Sequence, residues 1–137
     1  MDADQLIELL RQFADCLERP DLERNPLAEI ERLGEEAVPM LVEALGHEDP
    51  LVRRMAVCAL GCLYAPGFET FDLRHAVPRL RELLRSDPDS LTRLYAAEAM
   101  WMICEDRASI RVLVGGLRDD SAEARRYAAA MLGAVGQ

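Results

Sequence analysis

The sequence predicts an all-α fold of about four antiparallel helix pairs packed side by side, and three observations predict it. One phrase is written twice and then a third time in worn form: AVPMLVEAL over 37–45, AVPRLRELL over 76–84 and SIRVLVGGL over 109–117. Each copy opens a helix–turn–helix unit whose apolar residues recur close to i, i+3, i+4 and i+7, one face of a helix. The composition, 50% apolar and 30% charged with only 5% aromatic, is rich in Ala, Leu, Glu and Arg and suits helices more than sheets. At 137 residues the chain is read as a single domain, 1–137, that buries roughly two thirds of its unfolded surface without metals or crosslinks.

The elements follow in order. QLIELLRQFADCL and NPLAEIERLG form a degenerate helical pair within 1–35, with Asn25 as N-cap and Pro26 as first helical residue. Three units follow, over 36–63, 75–104 and 107–136, with an inserted connector at 64–74. The first helix of each unit turns Val38, Leu41, Val42 and Leu45 inward; then Val77, Leu80, Leu83 and Leu84; then Ile110, Leu113, Val114 and Leu117. Pro39 and Pro78 fall in the first turn, where a backbone N–H has no intrahelical partner to lose. The turns GHEDP, RSDPDS and RDDSA supply Asp, Ser and Pro to stop one helix and cap the next. The second helices turn inward Val52, Ala56, Ala59, Leu60 and Leu63; Thr92, Ala96, Ala99, Met100 and Ile103; and Ala124, Ala128, Met131, Leu132 and Val135. Alanine at the central positions lets the two helices of a unit approach closely.

In this wording the chain resembles the HEAT-repeat family, in the short bacterial form called the PBS-lyase HEAT-like repeat, whose phrase is close to AVPxLxxxLxDxDxxVRxxAxxALG. AVPMLVEALGHEDPLVRRMAVCALG matches nearly throughout; the second unit lacks the Val before its Arg and has an extra turn residue, and the third replaces Ala-Val-Pro with SIR. The likeness spans 37–136 and implies a right-handed α-α superhelix, a HEAT-like solenoid, with the second helix of each pair on its concave face.

Charge and motifs bound the function. The 25 acids against 16 bases give a net charge of −9, which argues against nucleic acid and anionic membrane as partners and favours basic ones. The acidic, amphipathic opening MDADQLIELLRQFADCLERP is no secretory signal and no run of 18 apolar residues exists, so a cytoplasmic location is expected. Cys16, Cys58, Cys62 and Cys104 lie in helical patterns and read as reduced thiols. Deoxyhypusine hydroxylases are built from HEAT-like repeats and bind iron through four His-Glu pairs. This chain has one such pair, His47–Glu48, in a turn, with only His75 besides, so no cofactor or metal is expected. Phosphate loops, nucleophile elbows and zinc spacings do not occur.

Arg53, Arg93 and Arg125 stand at one position in successive units, after the turn acids Asp49, Asp87 with Asp89, and Asp119. They read as a structural ladder in which each Arg reaches back to turn carboxylates and carbonyls. Helical spacing puts Arg54, Cys58 and Cys62 on the outward stripe of the second helix of the first unit, Leu94, Glu98 and Met102 on that of the next, and Arg126, Ala130 and Ala134 on that of the third. Met55, Tyr95 and Tyr127 align at the margin of the core stripe, and Trp101 stands where the other copies have Gly61 and Gly133. Aromatics beside a depolarised stripe suit a protein-binding face, so Arg54, Met55, Cys58, Leu94, Tyr95, Glu98, Trp101, Met102, Arg126 and Tyr127 are the candidate partner contacts. The competing assignment makes the aromatics gap-fillers, with Trp101 beneath the connector and its Phe68 and Phe71.

The expected function is that of a non-enzymatic adaptor binding another protein on its concave face, as a monomer or a weak homodimer, since the apolar ending MLGAVGQ carries no polar cap. The alternatives are an enzyme, either a bilin-lyase-like subunit or another activity using Cys58 or Cys62, and a structural segment of a longer array.

Overall fold

A computed structural model describes residues 2–18, 26–63, 73 and 75–135. Among them are eight α-helices, one 3-10 turn and no strand, and the chain resolves into two compact units, Met1–Ala76 and Val77–Gln137. Asn25 and the inserted connector, Leu73 apart, lie outside the described residues.

The first unit holds α1 (Ala3–Glu18), α2 (Pro26–Leu33), the 3-10 turn Gly34–Glu36, α3 (Ala37–Ala44) and α4 (Pro50–Leu63). A reciprocal capping box starts α1: the Gln5 N–H donates to Asp2 Oδ1 at 2.8 Å and the Asp2 N–H to Gln5 Oε1 at 2.9 Å. Leu6, Leu9, Leu10 and Phe13 then form one buried stripe at helical spacing. Gly34, at φ 61°, ends α2 in the left-handed region where a Cβ would be strained. Pro26 and Pro50 open α2 and α4, where the fixed φ helps and the missing donor costs nothing. Helix α4 packs against α1, α2 and α3 at once. It therefore buries a wide arc, Val52, Met55, Ala56, Val57, Ala59, Leu60 and Leu63.

The turn between α3 and α4 is tied to α1. Arg11 Nη1 donates to Asp49 Oδ2 at 2.6 Å, and Asp49 Oδ1 accepts the Leu51 N–H at 3.0 Å. First the Arg11 hydrogen bond and then the Leu51 N–H hold the Asp49 carboxyl below its ordinary value, against a smaller upward push from burial.

The second unit holds α5 (Val77–Ser86), α6 (Ser90–Cys104), α7 (Arg107–Gly116) and α8 (Ala122–Val135). Asp89 caps α6, its Oδ2 accepting from the Thr92 N–H at 3.0 Å and from the Thr92 hydroxyl at 2.7 Å, so the fully buried Thr92 is satisfied. Glu105 ends α6 at φ 49°, and Asp106 at once caps α7 through the Ala108 N–H. Helix α6 packs against α5, α7 and α8 and carries buried residues round most of its circumference, from Leu91 to Met100.

Two residues of the predicted core stripe lie at the surface. Val114 and Leu117, read as core, are 50% and 42% exposed. Helix α7 packs against α6 and α8, and no described helix covers the flank carrying these two side chains.

The tightest approach is at Gly116, where an added Cβ would lie 2.6 Å from Leu94 Cδ2 and 2.9 Å from Ala128 Cβ. At the neighbouring Gly115 it would meet nothing within 4 Å. Gly116→Ala should therefore destabilise the chain by about 1–3 kcal/mol through overpacking. Gly115→Ala should stabilise it by about 0.5–1 kcal/mol through helix propensity; urea denaturation of both variants separates the two effects. For Asp49, a folded pKa below the unfolded value means stability that is complete above about pH 4 and fades as pH falls through the folded pKa. Arg11→Ala should cost about 0.2–1 kcal/mol at pH 7, as for a solvent-screened pair, with the gap to the parent closing toward pH 2 in acid denaturation.

Candidate interaction surface

The turn arginines share one geometry. Each Nη1 donates to the carbonyl six residues earlier: Arg53 to His47 at 2.9 Å, Arg93 to Asp87 at 2.6 Å and Arg125 to Asp119 at 2.6 Å. Arg53 also reaches the Glu48 carbonyl at 3.0 Å and Arg125 that of Asp120 at 3.1 Å. These carbonyls follow the first helix of each pair, where unsatisfied acceptors and the negative end of the helix dipole draw a cation. The turn acids serve as acceptors for the chain itself, Asp87 Oδ1 from the Asp89 N–H and Asp119 Oδ1 from the Ser121 N–H, each at 2.9 Å.

In the first of the three turns the same place is taken by His47, whose Nδ1 accepts the Asp49 N–H at 3.0 Å. By motif, His47 is only half of a His-Glu pair. The signal for its true place was its register with Asp87 and Asp119 in the aligned turns. Its Nδ1 is engaged as a backbone acceptor, and among the described residues no group of three metal-ligating side chains forms.

The candidate contacts divide into three sets. Met55 and Leu94 are core residues, 3% and 2% exposed, and are withdrawn from the surface: α4 and α6 are each clasped by three helices, so the margin of the stripe is covered too. Arg54 and Cys58 lie half-buried on α4 in the first unit, with Arg54 Nε directed to the Pro50 carbonyl at 3.4 Å. The rest belong to the second unit. There the rings of Tyr95 and Tyr127 stack with centroids 4.6 Å apart and planes 25° from parallel. The Tyr127 hydroxyl donates to Glu98 Oε2, joining α8 to α6 beside the stack. Trp101 is half-buried, Met102 43% exposed and Arg126 exposed. At Gly61 and Gly133, which align with Trp101, an added Cβ would meet nothing within 4 Å.

A family model of HEAT repeats matches residues 3–99 and 64–134. The chain belongs to the HEAT-repeat family. HEAT repeats generally mediate protein–protein interaction and are typically non-enzymatic scaffolds. No curated protein and no solved structure matches the chain. Among the described residues no helix is long and apolar enough to cross a membrane.

The HEAT turns differ in burial: Arg53 is 8% exposed, Arg93 half-buried and Arg125 exposed. Arg53→Ala should therefore cost about 1.5–3 kcal/mol, the range for hydrogen bonds to a charged group. Arg125→Ala should cost about 0–1 kcal/mol because water replaces the lost donor. Chemical denaturation of the two variants side by side measures the difference.

Proposed function

We propose that this HEAT-repeat chain is a non-enzymatic adaptor that binds another protein through α6 and α8, the second helices of the pairs in its second unit. The observation that carries the reading is the stacked Tyr95–Tyr127 pair buttressed by Glu98. Two half-buried rings held rigidly across two helices offer a large amphipathic contact area at little entropic cost, the kind of anchor on which interface energy concentrates. Met102, exposed one turn beyond Glu98, supplies an adaptable apolar contact, and Arg126 supplies charge at the rim. Trp101, half-buried, lies on α6 as well. The family's general role in protein–protein interaction supports this reading, and the short PBS-lyase-like subtype and a cytoplasmic setting belong to the same proposal.

The test is affinity capture from the native cell extract with the parent chain, Tyr95→Ala and Glu98→Arg, each first shown by circular dichroism to be folded. A partner retained by the parent should fall by about tenfold or more in both variants, as for loss of a central anchor. Identical captured sets in all three would refute the reading.

A further inference from the structure

The acidity of the chain is unevenly placed. Residues 1–76 carry sixteen Asp and Glu against seven Arg, whereas residues 77–137 carry nine against nine, so the whole excess of −9 resides in the first unit. The arginines described there are largely committed: Arg11 to Asp49, Arg53 to two turn carbonyls and Arg54 to the Pro50 carbonyl. The carboxylates that remain exposed therefore act on what approaches from solvent.

Within this unit a groove of about 460 Å³ runs between the start of α1 and the end of α3. Leu6, Ile7, Met40 and Ala44 form its apolar walls, and Asp2 and Glu43 stand at its rim. Asp2 is held in place by the capping box, and Glu43 is exposed. No arginine lines the groove, and His47 at its end is engaged through Nδ1. Asp4 and Glu8, also exposed, add negative charge on α1. An apolar floor beneath a carboxylate rim is complementary to a segment that alternates aliphatic and cationic side chains: the stems and aliphatic groups remove the floor from water while the cations meet Asp2 and Glu43. The volume lies in the range of roughly 300–1,000 Å³ typical of ligand clefts, which suits a few side chains of a peptide and not a whole protein face.

We propose that the α1–α3 groove is a second binding site, specific for a basic peptide segment with aliphatic anchors, such as an arginine-rich tail of a partner. The site is separate from the aromatic surface on α6 and α8 and stands without it.

The probe is a fluorescein-labelled 12-residue peptide of Arg, Leu and Ala, followed by fluorescence anisotropy on the full chain. It should bind, with affinity falling about fivefold as NaCl rises from roughly 50 to 300 mM. A counterpart with Glu in place of Arg should not bind. Glu43→Arg should weaken binding about tenfold and Met40→Gln about fivefold, whereas Glu123→Arg, the same charge change on α8, should alter it less than about twofold. Tyr95→Ala should leave it unchanged, which keeps failure of this site distinct from failure of the adaptor surface. Absence of binding, equal losses from Glu43→Arg and Glu123→Arg, or indifference to Met40→Gln would each overturn the proposal.

Discussion

Each helix of this protein carries apolar residues it cannot cover by itself. A helix of eight to sixteen residues is marginal alone in water, so its stability rests on the neighbours that bury its apolar side. That requirement explains the alanines at the centre of α4, α6 and α8 and the glycine where α7 meets Leu94 and Ala128. Small residues allow backbones to close on one another, and close approach removes the larger side chains on either side from water.

Close packing in turn forces short connections, and the carbonyls and N–H groups at the helix ends they join have no intrahelical partner. The turn arginine and its preceding acceptor resolve this together: the guanidinium takes carbonyls, and an Asp, or His47 in one copy, takes an N–H. A guanidinium, with its fixed fork of donors, suits a place where several acceptors converge. His47 stands in register with Asp87 and Asp119 and keeps the same acceptor role through Nδ1.

What packing and turn chemistry leave over is available for recognition, and it differs between the two units. The second is electrically balanced and offers a rigid aromatic pair with an exposed methionine near it. The first holds the excess charge and an apolar groove with carboxylates at its lip. A neutral anchor favours affinity through burial, while a charged unit favours encounter and selection among partners by sign.

The sequence by itself determined the helix pairs, the turns and the ladder positions, because these follow from local rules: periodicity, Pro and Asp at helix starts, and an Arg at fixed spacing from a turn. Thr92, Ala96 and Met100 were legible as core on that basis, and so were Tyr95 and Tyr127 as an aligned pair. Only the tertiary structure decided how wide an arc each helix buries, since that depends on how many neighbours it has. With three helices around each of α4 and α6, Met55 passed from the margin of the stripe and Leu94 from the outward stripe into the core, while the less covered α7 left Val114 and Leu117 in water. The Tyr127–Glu98 hydrogen bond and the groove between α1 and α3 were likewise beyond the sequence, because each joins residues that only packing brings together.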